Sequence, residues 1–445
     1  MASPTVPGGG TTTGSNQITT TSSATLALAQ SIINTIGTIS AANTVTSTTV
    51  PSSVTSPSTP TPIAIGGTTP VSLGVVNVGV VSANVTAVLI NNTGTTTLTN
   101  TSASTNQSVV GGSGSVNFTD AGTGTTVVVG GGSNAVTFSS TSSGAKFVGD
   151  GTNTIAISAT TGTTTIQGTG SSVDSISATS KGNVSYTATA GATAIVQATS
   201  GNVTVVGAVG ATQTVFGGSG ATIISDGNGG FKTINASAFT GTLTATNVTG
   251  YAEGGTGGKN VITGNSTGAS TLVGGGSGDT LVAGGAGDNI VARARGGNTT
   301  IDGSQAAGGI NEWADVNGNN TNSGAVTMYG SKSVADNFYL STSTVAGTTN
   351  GVAFKGSLVT LHHASDNTTV LNTNVANKID VGVFNNFAQF ATVTDFISGT
   401  DKLVIGQGQG TVSIASSGTT FSVTTASGST ITVQGTISLT DITRI

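Results

Sequence analysis

Two aspartates are the residues best placed to do chemistry. Asp279 and Asp288 stand nine residues apart in GGGSGDTLVAGGAGDNIVA (274–292), each directly after a glycine run. Only 6% of the chain is charged, against about 25% in ordinary proteins, so two acids at matched positions carry weight. A carboxylate beside a glycine loop has two uses. It can accept N–H groups and cap the turn in a metal-free fold. It can also join backbone carbonyls around a hard cation, because glycine tolerates the φ values that turn carbonyls toward an ion.

Other chemistry finds little material. There is no H-E-x-x-H, and the two histidines, His362 and His363, are adjacent. Neighbours on a strand point to opposite faces, so they cannot easily share one metal. The single G-x-S-x-G match, GNSTG (264–268), lies in a region rich in Gly and Ser with no strand-to-helix elbow. A glycosidase needs two close carboxylates, and residues 1–249 hold only Asp120, Asp150, Asp174 and Asp226. Asp150 and Asp174 are the pair able to approach each other. A β-helix lyase or epimerase would also need a base, and Lys146, Lys181 and Lys232 are the lysines of that stretch. Glu312, Trp313 and Asp315 (NEWAD) form the one dense polar-aromatic cluster, read as a fold junction or a weak cation contact. The expectation is that the protein is not an enzyme.

The elements that must position the aspartates follow from composition. The 445 residues include 69 glycines, no cysteine and 4% aromatics. Small and β-branched side chains suit thin, strand-rich layers with many turns. A mean hydropathy of +0.21 argues against disorder. Net charge is −5, with no basic patch, so nucleic acid is not an expected partner. The uncharged segment 71–90 reads as two strands and a turn rather than a membrane helix, so no membrane span is expected. The N-terminus lacks a positive region followed by an apolar core and does not read as a Sec-type signal.

Along the chain, residues 1–63 read as a polar, low-complexity segment. It holds one short helix at 24–37, with Leu26, Leu28, Ile32, Ile33 and Ile36 as its apolar stripe, and a Pro-rich linker at 46–62. No charged residue precedes Asp120, a surface suited to packing against a partner. Residues 64–250 read as a β-solenoid. Apolar anchors recur mostly every nine or ten residues: Phe147, Ile155, Ile166, Ile176, Tyr186, Ile195, Val205, Val215, Ile224 and Ile234. Units this short cannot bury their own faces and must stack. The period continues through Ile262, Leu272, Leu281, Ile290 and Ile301. Residues 251–305 form a roll around the aspartates. Residues 306–445, richer in aromatics, read as a separate β-rich module. The fold class expected is all-β, a parallel β-solenoid or β-roll.

The frames GGGSGDTLV (274–282) and AGGAGDNIV (283–291) resemble the RTX nonapeptide, G-G-x-G-x-D-x-U-x. Ser277 and Ala286 stand where that pattern has the glycine of its fourth position, with Gly278 and Gly287 one place later. The resemblance implies a parallel β-roll in which calcium sits between same-side turns. Its ligands here would be Asp279, Asp288 and the loops of Gly275, Gly276, Gly284 and Gly285. Same-side neighbours would be Asn260 and the vicinity of Asn298 for Asp279, and Ser270 and Asp302 for Asp288. FATVTDFISGTDKLVIG (390–406) and the ending SLTDITRI are similar to the C-terminal segments of RTX proteins exported by the type I route. The Thr/Ala/Gly/Ser/Val-rich, cysteine-free profile is similar to S-layer and biofilm surface proteins of that route.

These readings imply a secreted, extracellular, calcium-dependent structural protein that assembles with copies of itself on a bacterial cell surface, as a lattice or filament. Ca2+ is the expected cofactor, and metal binding would be coupled to folding. Two rivals remain. One is an adhesin for a cell-surface glycan or lipopolysaccharide. The other is an ice-binding solenoid, which would need Thr-x-Thr in every rung; TTT (163–165) and TLT (242–244) occur without a steady row.

Overall fold

In the computed structural model the chain is an all-β parallel solenoid with little helix. The structure describes most of residues 72–315, all of 390–445, and shorter stretches elsewhere, among them 23–36, 59–65, 326–331, 336–339, 359–362 and 378–381. The chain forms two units, Met1–Gly230 and Phe231–Ile445.

In the first unit each turn gives one strand to each of two parallel ladders. The first ladder includes Ser108–Gly111, Thr126–Val129, Lys146–Gly149, Thr163–Gly168, Asn183–Ala188 and Val203–Gly207. The second includes Ser115–Asp120, Ser133–Phe138, Thr152–Ile157, Val173–Ala178 and Thr193–Ala198. One full turn therefore spans two of the sequence periods. Inward side chains stack in register: Val127, Phe147, Ile166, Tyr186 and Val205 on one ladder, and Val136, Ile155, Ile176, Val196 and Val215 on the other, all buried. Each aliphatic or aromatic side chain so buried contributes about 1.5–3 kcal/mol.

One expected anchor is displaced. Ile195 faces outward, 49% exposed, and Val196 takes the inward place in register with Ile176. The strand has a period of two, and the buried positions of Thr193–Ala198 are the even-numbered ones, so choosing the larger of two adjacent aliphatics picked the wrong face.

The helix Ser23–Ile36 is present. Ala29 and Ile33 are its buried apolar residues, flanked by Leu28 and Ile32. They pack on the outward row Ala64, Leu89, Val110, Val128 and Val148 of the first ladder. This explains why those strands are apolar on both faces. A helix of 14 residues is about 21 Å long, and five strands span about 19 Å. The next outward residue in that row is Gln167, half-buried and polar, where the helix's reach ends. The segment 71–90 forms the strands Val75–Val81 and Val85–Ile90. Among the described residues no helix is long and apolar enough to cross a membrane. The Pro-rich stretch lies outside the described residues up to Ser58; Thr61–Ile65 is already a ladder strand.

The second unit is built of parallel ladders of the same kind, Ile262, Leu281, Ile301, Met328 and Leu361 standing in line. Pairing crosses position 305 without a break. Beyond it the connections lengthen while the strands stay parallel, so the aromatic-rich end continues the same stacking. The strands Val412–Ser417 and Thr430–Gly435 are each antiparallel to Thr420–Thr425. Ile442–Arg444 then adds a last parallel strand beside Lys402–Ile405.

Asp441 locks that end. Its carboxylate accepts the Ser398 hydroxyl (2.6 Å), the Ser438 hydroxyl (2.9 Å), and the N–H groups of Gly399 (2.8 Å) and Ser438 (2.9 Å). Burial alone would raise its pKa, but these donors outweigh it and hold the carboxyl at about 2. A carboxyl held below its unfolded value stabilises the fold above the ordinary carboxylate range, and that stabilisation is lost as pH falls toward about 2. Melting of the wild type should therefore drop steeply below about pH 4, and Asp441→Asn should melt lower at neutral pH with a shallower acid slope. Equal slopes would show that Asp441 does not contribute to the acid transition.

Candidate turn-capping carboxylates

Asp279 and Asp288 open the strands Thr280–Val282 and Asn289–Arg293, two residues before the inward Leu281 and Ile290. The two-residue period therefore turns each carboxylate inward, at the corner where the glycine loop enters the strand. Gly278 and Gly287 have φ of +74° and +76°. The left-handed turn falls directly before each aspartate, so the glycine shifted by one place from the RTX pattern sits where a Cβ would be strained.

Both carboxylates are buried, at 1% and 0% exposure. One oxygen of Asp279 accepts the N–H groups of Gly275 (2.8 Å) and Gly276 (3.0 Å). Its other oxygen accepts the Asn260 backbone N–H (2.9 Å) and the Asn260 side-chain amide (2.8 Å). Asp288 repeats the motif with Gly284 (2.9 Å), Gly285 (3.0 Å) and the Ser270 N–H (2.6 Å). Burial is the main influence on the Asp288 carboxyl and raises its pKa, against the N–H donors of Gly285, Ser270 and Gly284 that lower it.

The Asn260 amide has a distinct role. Its Nδ2 donates to the Gly255 carbonyl (2.8 Å) as well as to Asp279. Its Oδ1 accepts from Leu243 N–H (2.8 Å) and Gly255 N–H (3.1 Å). The amide joins a loop carbonyl to a carboxylate across two turns, which is the connection a cation makes in an RTX roll.

The expected residues are thus brought together in two clusters: Asn260, Gly275, Gly276 and Asp279, and Ser270, Gly284, Gly285 and Asp288. Asp302 joins neither. It ends the strand Thr299–Asp302, stands in register with Val282, and accepts the Ser304 N–H (2.9 Å) to cap its own turn. Asn298 lies outside the described residues.

This donor set does not fit a calcium ion. Calcium takes six to eight oxygens, whereas the groups converging on Asp279 are four N–H donors and those on Asp288 are three. Among the described residues no three His, Cys, Asp or Glu side chains lie close enough to share a metal.

The same position carries buried caps elsewhere. Asp336, two residues before the buried Phe338, accepts the N–H groups of Ser331 (2.6 Å) and Ile310 (2.9 Å). Asp401, two before Leu403, accepts the Ile397 N–H (2.8 Å). In the first unit a polar ladder climbs one corner: Asn134 accepts the Val116 N–H (3.0 Å), Asn134 donates to Asn153 (2.9 Å), and Asn153 donates to Asp174 (2.7 Å). Asp174 also accepts the Ser172 (2.9 Å) and Tyr186 (3.0 Å) hydroxyls. Burial raises the pKa of both Asp174 and Tyr186. Asp120 is closed by Ser142 (2.7 Å), Thr125 (2.9 Å) and Asn100 (2.5 Å). The signal that finds Asp174, Asp336 and Asp401 is a carboxylate two residues before an inward apolar residue, whereas Asp120 stands two residues after the inward Phe118, at the end of its strand. A search for glycine-flanked acids alone passes over Asp120, Asp174, Asp336 and Asp401.

Asp150 and Asp174 are both buried, at 5% and 2% exposure, with Asp150 bonded to the Thr169 hydroxyl. Ser266 of GNSTG lies in an exposed turn capped by Asn265, which accepts the Thr267 N–H (2.8 Å). His363, and the side chains of His362, Glu312, Trp313 and Asp315, lie outside the described residues. No family model, no curated protein and no solved structure matches the chain.

Proposed function

We propose that this chain is a structural protein of a bacterial cell surface, which assembles with copies of itself outside the cell. The observation that carries the reading is where the acids go. Nine of the 16 acidic residues are buried, and Asp279, Asp288, Asp336 and Asp401 among them accept the N–H groups of their turns. A chain already poor in charge thereby keeps its few carboxylates inside and presents hydroxyl, amide and small apolar groups outside. Such surfaces come together with little charge to desolvate. The stacked, in-register rungs supply a stiff support for repeated contacts.

Export by the type I route is part of the same proposal and rests on the resemblance of residues 390–445. That segment also builds the closing strands held by Asp441. Calcium, the cofactor that the RTX resemblance implies, is not required in this reading, because Asn260 and the glycine N–H groups already close the aspartate turns.

The test is sedimentation and electron microscopy of the purified full chain over a concentration series, once with calcium and once with chelator. Regular assemblies under both conditions are expected. A chain that stays monomeric in both would overturn the reading. Assembly only with calcium would keep the structural role and overturn its metal independence.

A further inference from the structure

We infer that the outward face of the second ladder in the first unit is the surface through which two copies of this chain pair. The inference rests on the self-assembly reading and names its contact. The face is built by eight strands, from Val75–Val81 to Thr212–Phe216. From Thr95 to Phe216 the register runs without a shift. Its middle row reads Thr97, Asn117, Ala135, Thr154, Ser175 and Ile195.

Three observations converge on it. First, the face carries no charged residue. The two acids on these strands, Asp120 and Asp174, are both buried on the inward side. Second, the exposed large apolar side chains of this unit collect here. Val75, Val80, Val173, Ile195 and Phe216 all lie on this face, and among the described residues the unit exposes no other. Third, the two ladders are treated differently. The helix Ser23–Ile36 covers outward residues of the first ladder, while the second ladder's outward residues are left half-buried or exposed.

The area fits a second copy. Eight strands spaced about 4.8 Å apart and six residues long make a patch of about 34 by 20 Å. Pairing two such patches buries about 1,400 Å2, within the range of specific dimers. A two-fold pairing sets each row against itself. An uncharged patch meets no like-charge penalty in that arrangement, and hydroxyls and amides can satisfy each other around the apolar side chains. A charged partner would find no counter-charge. An ice lattice would need hydroxyls in every rung, and Ala135, Ile195, Gln197 and Phe216 interrupt them.

The experiment compares the full chain with Thr154→Lys/Ser175→Lys, which places two cations at the centre of the patch. Thr163→Lys, on an exposed position of the first ladder, is the control. Sedimentation velocity over a concentration series reads association, and thermal melting reads the fold. Expected is at least a tenfold weaker association for the double variant, with melting unchanged and the control like wild type. Mixing it with Thr154→Glu/Ser175→Glu should restore pairing as a heterodimer, a result that a merely damaged fold would not give.

Association of the double variant equal to wild type would overturn this face and leave self-assembly standing. A wild type that never associates would overturn both. Lost binding to cell-wall polysaccharide with unchanged sedimentation would assign the face to a glycan and overturn the pairing.

Discussion

Asp279→Ala is expected to lower the unfolding free energy by roughly 3–5 kcal/mol, and by the same amount in calcium as in chelator. The substitution strands four buried donors at once: the N–H groups of Gly275, Gly276 and Asn260, and one proton of the Asn260 amide. Each orphaned donor costs about 1–3 kcal/mol, and partial access of water reduces the sum. Asp288→Ala strands three, so its loss is smaller. Burial also raises the Asp288 pKa. A group so raised gives its full stabilisation below the ordinary carboxylate range and loses it as pH rises through the folded value. The gap between wild type and Asp288→Ala should therefore be widest in acid and narrow toward neutrality. Denaturant unfolding at fixed ionic strength, with and without calcium, measures all three chains. A wild-type midpoint that rises with calcium and stops rising in the variants would make the aspartates calcium ligands and remove the hydrogen-bond account.

The fold was legible because its period is short and its anchors are large. Phe147, Ile155, Ile166 and Ile176 can be read from the sequence as a stacked core, and the structure stacks them. The failure at Ile195 is instructive: where two aliphatics adjoin, size does not say which one faces in, and only the register with Ile176 does. The glycine-aspartate turns were also legible as turns, with Asn260 and Ser270 as neighbours one rung away. What the sequence does not reveal is the direction of the loop's peptide groups. The same GGGSGD can present carbonyls to a cation or N–H groups to its own carboxylate, and composition is identical in both cases. In the structure the loop's N–H groups point to the carboxylate, and the Asn260 amide supplies both a donor and an acceptor between rungs. The outward face of the second ladder was hidden for a different reason. Its Thr, Ser and Asn residues are spread over some 120 positions, and only the ladder register lines them up.

Gly275→Ala is expected to destabilise the second unit by at least ~3 kcal/mol, while Gly268→Ala, seven residues earlier, is neutral or slightly stabilising. A Cβ on Gly275 would lie 1.8 Å from the Gly254 carbonyl oxygen and 2.3 Å from its carbon. Those are backbone atoms of the preceding same-side turn, so no side chain can rotate away to make room. The rungs would have to separate, and separation breaks the N–H bond from Gly275 to Asp279 as well. Position 275 thus combines two demands, close stacking and donation to the carboxylate. Gly284 repeats them, with the Gly264 oxygen 2.2 Å from its Cβ position and its own N–H on Asp288. Gly268 has open space around its Cβ and a φ outside the left-handed region. Alanine there only reduces the freedom of the unfolded chain, a gain of about 0.4–1 kcal/mol. Thermal melting and hydrogen exchange of the rungs around Leu281 compare the two variants directly. Equal losses at 275 and 268 would mean that the glycines serve chain flexibility. A loss confined to 275 ties them to the stacking that holds each aspartate in its turn.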